Sequence, residues 1–230
     1  MKLAIMQPYF FPYLGYFQLI NSVDSFVYYD DVNYIKQGWI NRNRILFNSS
    51  SYLFTLELKG ASSNKKINEI EVGCNRNKLL KTFIQAYSKA PFFEENEFLL
   101  RQVFQNKEEN LSQYIIQSNS LILNHLDIIT SVYISSDLEK NNELKGEEKV
   151  IEICKKKGAS IYINSFGGQE LYSKDEFTKN SLELFFLKTG EIKYLQMGSG
   201  EFISNLSIVD VLMHCGKLET LKLLDQYNLI

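Results

Sequence analysis

The sequence has few of the residues that build metal sites, disulfide frameworks or rigid loops. Its 230 residues include two histidines, three cysteines and three prolines. Cys74, Cys154 and Cys215 are far apart and form no CxxC pair, so neither a disulfide framework nor a zinc site is predicted. Two histidines are too few for a histidine-rich metal site. We therefore expect reduced thiols and no bound metal.

The chain also lacks an excess of basic charge and a long apolar run. Its formal net charge is −2 and its isoelectric point is near 5.8. This disfavours binding to duplex nucleic acid, because such binding requires many phosphates to be neutralised. Only four apolar residues follow Lys2 before Gln7 and Pro8, too few for a signal-peptide core or a membrane span. A cytoplasmic location is expected.

The motifs of several large enzyme classes are absent. The sequence has no GxGxxG opening a strand–helix unit, no GxxxxGK(S/T), no HExxH and no GxSxG. The dinucleotide-binding, Walker-type, zincin and serine-hydrolase classes therefore lack their usual signals. What the chain has instead is 45% hydrophobic and 13% aromatic residues. That content can build a sizeable core, and the length suits one domain, residues 1–230.

Short apolar runs alternate with helical patterns along the chain. Strand patterns lie at residues 3–6, 25–29, 51–59, 67–72, 161–163 and 182–187. Helical patterns lie at residues 14–23, 75–87, 94–104, 111–126, 147–157, 174–179 and after the cap Ser207. Helix, glycine, strand and glycine-rich loop in succession favour a parallel strand. The predicted fold is α/β, a Rossmann-like mixed or parallel sheet flanked by helices, with an inserted helical segment at about 75–140.

Most candidate binding residues lie in the first 44 positions. A strand that ends in a proline-turned loop and passes into a helix is a common ligand site in α/β proteins. Arginine and lysine side chains beside aromatic faces suit a nucleotide diphosphate and a stacked base or sugar, although a hairpin edge covering Trp39 is an alternative. The candidates here are Gln7, Phe11, Tyr13, Tyr16, Tyr34, Lys36, Trp39, Asn41, Arg42, Asn43 and Arg44.

Other candidates follow the strands later in the chain. Ser165, Gly167 and Gly168 come after a buried strand, where a glycine pair lets the backbone approach a phosphate or forms a tight turn. Asp30 and Asp31 come after the second strand, where a carboxylate either contacts a ligand amine or hydroxyl or caps a turn. His214 is four residues after Asp210 on one helix face, either as an oriented base or as part of a surface ion pair. Asp30, Asp31 and His214 are the candidate catalytic residues.

Several sequence blocks resemble a known family. Two N-terminal blocks are long and unusual: QPYFFPYLGYF at 7–17, and DDVNYIK at 30–36 with WINRN at 39–43. Further blocks are APFF at 90–93, SSDL at 135–138, YINS at 162–165 followed by Gly167-Gly168, and LSIVD at 206–210. Over nearly the full chain these blocks resemble the WbqC-like family. The resemblance implies a cytoplasmic protein of surface-polysaccharide gene clusters, and hence a role in making O-antigen or capsule sugars.

The resemblance and the candidate residues together lead to two functional hypotheses. The first is a transferase that acts on a nucleotide-linked amino sugar and moves an acyl or aminoacyl group to the sugar amine. Its donor would be an activated group such as a thioester of CoA or of a carrier protein, and its partners a nucleotide-sugar substrate and a carrier protein or pathway enzyme. The second is a non-catalytic sugar-nucleotide-binding or scaffolding protein of the same pathway.

In the transferase hypothesis the candidate residues have distinct roles. An amine loses a proton as it attacks, so a carboxylate or imidazole would act as general base. Asp30, Asp31 or His214 would supply that base. Gln7, Asn41 and Asn43 would position the sugar or donate to an oxyanion. Lys36, Arg42 and Arg44 would bind the diphosphate.

Overall fold

The structure, a computed structural model, describes residues 1–198 and 200–230. The strands are β1 (Lys2–Met6), β2 (Ser25–Tyr28), β3 (Arg42–Phe47), β4 (Ser50–Thr55), β5 (Leu58–Lys59), β6 (Glu71–Val72), β7 (Ser131–Ile134), β8 (Ile161–Ser165), β9 (Glu183–Thr189) and β10 (Tyr227–Leu229). The helices are α1 (Leu14–Asn21), α2 (Arg76–Tyr87), α3 (Phe93–Gln105), α4 (Leu111–His125), α5 (Gly146–Lys156), α6 (Lys174–Lys179) and α7 (Ile208–Leu224). Short 3-10 helices cover Ile67–Glu69, Ser135–Asp137 and Phe166–Leu171. Within the described residues, no helix combines the length and apolar character needed to cross a membrane.

A six-stranded sheet organises the molecule, in the order β10-β9-β8-β1-β2-β7. Its strands pair in parallel except for β10, which pairs antiparallel with β9. Numbered by their succession in the chain, the five parallel strands follow the order 3-2-1-4-5 of a doubly wound sheet. The order reverses between β1 and β8. The predicted Rossmann-like α/β fold is confirmed.

Helices cover both faces of the sheet because its strands alternate apolar residues between the two faces. Leu3 and Ile5 of β1 face α5 and α6, where they pack with Val150, Ile153 and Phe177. Ala4 faces the opposite side and belongs to the larger core formed with α1, α4 and α7. Strands that are buried on both faces have nearly continuous apolar sequences, as β1 and β2 do.

A long connection leaves the sheet after β2 and returns as β7. It contains the β3–β4 hairpin, the β5–β6 pair and helices α2 to α4. Its interior is an aromatic cluster whose ring centroids lie 4.5 to 6.5 Å apart, formed by Phe10, Phe11, Phe54, Phe83, Phe104 and Tyr114. Phe10 and Phe11 come from the loop after β1, so this cluster joins the connection to the central sheet.

Two predicted strands in this connection differ from the structure. The pattern at 51–59 is divided between β4 and β5, which have different partners. The pattern at 67–72 begins as a 3-10 helix and ends in the two-residue strand β6. Ile67 and Ile70 are both fully buried, and a spacing of three residues places them on one side of a 3-10 turn.

The Asp30 carboxylate links the end of β2 to α4 and to the 3-10 helix Ser135–Asp137 through hydrogen bonds. Asp30 is 1% exposed, and its carboxylate accepts hydrogen bonds from the backbone N–H of Ser136 at 2.9 Å and from the Ser136 hydroxyl at 2.8 Å. The hydroxyl of Ser112 on α4 donates to it at 3.3 Å. Each donor would lose a charged partner if this side chain were removed.

Asp30→Ala is therefore expected to lower the free energy of unfolding by about 2–4 kcal/mol, because its donors lose a charge-assisted acceptor. Urea unfolding followed by circular dichroism measures this change. Asp137→Ala is the matched control, since Asp137 is exposed in the neighbouring 3-10 helix and should change the value by no more than about 0.5 kcal/mol. Equal losses in the two variants would contradict the structural role of Asp30.

Candidate functional site

A cleft of about 630 Å³ opens where the strand order reverses, at the carboxyl ends of β1 and β8. We name it cleft A. Doubly wound sheets bind ligands in this position because the loops on either side of the reversal separate. Its walls are the loop and helix after β1, the 3-10 helix after β8 and the loop before β3. The lining residues include Met6, Gln7, Tyr9, Tyr13, Gly15, Tyr16, Tyr29, Ile35, Trp39, Asn164, Ser165, Gly167, Gly168, Leu171 and Tyr172.

Phenol groups are the main titratable groups of cleft A. Burial, together with the neighbouring Tyr13, raises the pKa of Tyr9 to about 12. Burial also raises the pKa of Tyr13. Both phenols are therefore protonated at neutral pH and can donate hydrogen bonds. The Tyr16 hydroxyl donates to the carbonyl oxygen of Gln7 at 2.8 Å and closes the base of the cleft.

The loop after β1 is held by the backbone of Phe11. Its carbonyl oxygen accepts hydrogen bonds from the side-chain amide of Asn43 at 2.8 Å and from the hydroxyl of Ser207 at 2.9 Å. Phe11 has a φ of 46°, a conformation that a bulky residue adopts only when its surroundings impose it. Its ring is fully buried in the aromatic cluster. Phe11, expected to contact a ligand, instead fixes the loop that carries Tyr9 and Tyr13.

A second cavity, cavity B, lies beside cleft A and has a volume of about 300 Å³. Its lining residues are Tyr9, Pro12, Tyr13, Trp39, Asn43, Arg44 and Asn205. Tyr9, Tyr13 and Trp39 line both spaces. Trp39 is 46% exposed, so part of its side chain is accessible at the border of the two cavities.

The loop before β3 is braced from within. Tyr34 is buried, and its hydroxyl donates to Asn41 Oδ1 at 2.8 Å. The amide of Asn41 donates to the carbonyl oxygen of Leu56 at 2.7 Å. The Arg42 guanidinium donates to the carbonyl oxygens of Gly38 and Gln37. These three predicted site residues therefore shape the loop and do not line either cavity.

Asp31 lies between two lysines instead of facing a cavity. Its Oδ2 is 3.0 Å from Lys140 Nζ and 2.8 Å from Lys149 Nζ, and all three side chains are nearly fully buried. Burial raises the pKa of the Asp31 carboxyl, but the hydrogen bonds of Lys149 and Lys140 and the charge of Lys149 outweigh it and hold the pKa below its usual value. The ammonium of Lys149 also lies 5.1 Å from the ring centroid of Tyr29.

His214 and Asp210 form a buried network, not a surface ion pair. The Asp210 carboxylate is fully buried and accepts hydrogen bonds from Tyr87 at 2.8 Å and Tyr194 at 2.6 Å. His214 Nδ1 donates to the carbonyl oxygen of Asp210 at 2.8 Å, and Nε2 accepts from the N–H of Met197 at 3.1 Å. Burial lowers the pKa of His214, but the hydrogen bond and charge of Asp210 outweigh burial and raise it.

The structure divides the predicted site residues into two groups. Those that line cleft A or cavity B are Gln7, Tyr13, Tyr16, Trp39, Asn43, Arg44, Ser165, Gly167 and Gly168. Those that lie outside both linings are Asp30, Asp31, His214, Phe11, Tyr34, Lys36, Asn41 and Arg42. Lys36 is exposed to solvent.

Sequence reasoning missed several residues that line the two cavities, among them Tyr9, Tyr29, Asn164, Tyr172 and Asn205. Tyr29 directly follows β2, and Asn164 is at the carboxyl end of β8. The rule that ligands bind at the carboxyl ends of parallel strands would have identified both. Tyr172 and Asn205 are in connecting segments and carry no comparable signal.

The ion pairs of Asp31 should make the free energy of unfolding depend on pH in the acid range. Because its folded pKa lies below the ordinary value of 3.8, its contribution is fully present above about pH 5 and is lost as the pH falls through the folded pKa. Asp31→Asn should lower the free energy of unfolding by about 3–5 kcal/mol at pH 7, since two buried ammonium groups lose their counter-charge. Urea unfolding between pH 7 and pH 3 should show this deficit shrinking below about pH 4.

Asp175→Asn is the matched control for this pH series, since Asp175 is exposed on α6. Its unfolding curve should follow that of the unmodified protein throughout. A deficit of Asp31→Asn that is the same at pH 3 and pH 7 would exclude the ionised carboxylate as its source.

Comparison with known proteins agrees with the resemblance in the sequence. The chain is 29% identical over 220 residues to an uncharacterized protein of Mycobacterium tuberculosis, Rv1507c, and the match covers 94% of each chain. No solved structure matches the chain. The model of the WbqC-like protein family matches residues 7–221, which include the loop after β1, the lining of cavity B, most of the lining of cleft A, and α7 up to Leu221. The chain therefore belongs to the WbqC-like protein family.

Proposed function

We propose that the protein is a transferase that acts on a nucleotide-linked amino sugar in surface-polysaccharide biosynthesis, by acyl or aminoacyl transfer to the sugar amine. The observation that carries the proposal is cleft A, which lies at the reversal of strand order where doubly wound sheets bind nucleotides. Its volume of about 630 Å³ lies within the range of small-molecule pockets.

The lining of cleft A suits a sugar nucleotide. The face of Trp39 offers a stacking surface for a base or a sugar ring. Gln7, Asn164 and Ser165 offer polar groups for hydroxyls and amides. Gly167 has no atom within 4 Å of the position that a Cβ would take, so its backbone is open to a ligand. Aromatic faces with a few polar groups are typical of pockets for such ligands.

The proposed reaction is an aminolysis. The nitrogen of the sugar amine attacks the carbonyl carbon of a thioester, a C–N bond forms and the C–S bond breaks. The departing thiolate takes the proton that the nitrogen loses. Protonated phenols of cleft A donate to the carbonyl oxygen as it becomes negative, which stabilises the transition state. An amine with a pKa near that of an α-amino group, about 8, is partly unprotonated at neutral pH, so the proposal needs no strong base in the cleft.

One observation favours the second hypothesis, a non-catalytic sugar-nucleotide-binding or scaffolding protein. Among the described residues that line cleft A and cavity B, there is no carboxylate and no imidazole. The carboxylates of Asp30 and Asp31 and the imidazole of His214 each make hydrogen bonds within the protein and line neither cavity. A protein that only binds a sugar nucleotide needs the aromatic and polar walls but no acid or base.

The first test of the proposal is thermal unfolding with a panel of UDP- and dTDP-linked sugars, with and without an amino group. A ligand that binds only the folded state raises the midpoint, and amino-sugar nucleotides should give the largest increase. Trp39→Ala should weaken binding about 5- to 150-fold, since stacking on an aromatic ring is worth about 1–3 kcal/mol. Phe98→Ala is the control, because Phe98 is 70% exposed on α3 and lines neither cavity. An equal effect of both substitutions would argue against cleft A.

The second test separates the two hypotheses. The protein is mixed with the best nucleotide amino sugar and with acyl thioesters of CoA or of a carrier protein. Release of free thiol, together with a mass increase of the sugar nucleotide equal to the acyl group less one hydrogen, is expected for the transferase. Tight binding of the sugar nucleotide with no thiol release from any thioester would instead favour the binding protein.

A further inference from the structure

We infer that cavity B is an oxyanion subsite in which Arg44 holds a phosphate or carboxylate group of a ligand. The inference deepens the proposed function, on which it rests for the identity of the molecule that carries the anion. The subsite itself depends only on the chemistry of the cavity. Its volume of about 300 Å³ is at the lower end for ligand pockets, so it suits a charged group or a small molecule.

Arg44 differs from the other three arginines of the chain. Arg42 and Arg76 donate to backbone carbonyl oxygens, and Arg101 pairs with Glu97. The Nε of Arg44 is buried without a hydrogen-bond partner, as is the Nε of Arg76, but only the Arg44 guanidinium makes no hydrogen bond or ion pair at all with the described residues. A guanidinium that lines a cavity and makes no bond to the described residues has donors available for a partner from outside the chain.

Arg42 and Arg44 allow a direct comparison, because they are two residues apart on β3 and project to the same side. Both guanidinium carbons lie 5.7 Å from the ring centroid of Trp39. The guanidinium of Arg42 donates hydrogen bonds to backbone carbonyl oxygens of the loop that carries Trp39. Arg44 lies beside the same ring but donates to none of the described residues, and it lines cavity B whereas Arg42 does not.

The rest of cavity B favours an anion. None of the described residues that line it carries a carboxylate, so none of them neutralises the guanidinium. The amide of Asn43 is occupied by the carbonyl oxygen of Phe11. The phenols of Tyr9 and Tyr13 are protonated donors. A guanidinium beside hydroxyl donors matches an oxyanion, which accepts several hydrogen bonds at once and pairs with arginine through two of them.

Cavity B also has the position that a phosphate of a sugar nucleotide would need. Tyr9, Tyr13 and Trp39 form walls of both cavity B and cleft A. A ligand in cleft A can therefore extend past these side chains to Arg44. This places the anionic group next to the sugar or base, and not at the Gly167-Gly168 loop on the other wall of cleft A.

The test measures binding of inorganic phosphate, pyrophosphate and acetate by thermal unfolding and calorimetry at constant ionic strength. Phosphate or pyrophosphate should raise the unfolding midpoint if the ligand group is a phosphate, and acetate if it is a carboxylate. Arg44→Ala should weaken that binding about 10- to 100-fold, as expected when a charged hydrogen-bonding group is lost. Arg101→Ala removes the same charge from the surface of α3 and should leave the binding unchanged.

Two further variants exclude a simple loss of structure. Arg44→Met keeps the length of the side chain and removes its charge, so without ligand its unfolding midpoint should equal or exceed that of the unmodified protein. Arg44→Lys keeps the charge but not the planar fork, and should recover only part of the binding. A lower midpoint of Arg44→Met without ligand would show that the guanidinium stabilises the fold, and would overturn the inference.

The remaining outcomes distinguish the subsite from the proposed function. If no anion binds in a manner that depends on Arg44, the subsite is excluded. If small anions bind through Arg44 but no sugar nucleotide binds at all, the subsite stands and the proposed function fails. If sugar nucleotides bind equally well to Arg44→Ala, the proposed function stands and the inference is wrong.

Discussion

The structure depends on the anchoring of the loop that follows β1. Phe10 and Phe11 bury their rings in the aromatic cluster of the long connection, and the Phe11 carbonyl oxygen accepts hydrogen bonds from Asn43 and Ser207. These contacts join β1, the β3–β4 hairpin and the start of α7. Because Phe11 has a positive φ, the loop keeps its shape only while these partners hold it. Tyr9 and Tyr13, on either side of this anchor, are thereby fixed at the border of the two cavities.

The general fold could be predicted from the sequence because the inner strands are buried on both faces. β1, β2 and β8 carry short apolar runs of the kind that identify buried parallel strands. β7 and β10 were missed because they are the edge strands of the sheet, are only four and three residues long, and are mostly half exposed. They form strands because they hydrogen-bond to the adjacent strands β2 and β9. The strand order, and with it the position of cleft A, depends on the same long-range pairing.

The sequence predicted the residue types of the candidate site better than it predicted which of these side chains are free to contact a ligand. The sequence shows that Asp30 and Asp31 follow a strand, but their partners are far along the chain: Ser136 is 106 residues from Asp30, and Lys149 is 118 residues from Asp31. Arg42 and Arg44 have nearly the same local sequence. Arg42 nevertheless donates to backbone carbonyl oxygens, whereas Arg44 donates to none of the described residues. Local pattern indicates what a side chain can do, whereas tertiary contacts decide whether it is free to do it.

The place at which the long connection leaves the sheet means that the ligand-binding residues come from two parts of the chain. β2 and β7 are adjacent parallel strands, so everything between them is an insertion that leaves the strand order unchanged. This insertion carries Trp39, Asn43 and Arg44, whereas the sheet and its loops carry Gln7 and the Gly167-Gly168 pair. Substitutions at Trp39 and Arg44 can therefore change the ligand without altering the strand order, whereas Asn43 has to be kept because it holds the loop after β1.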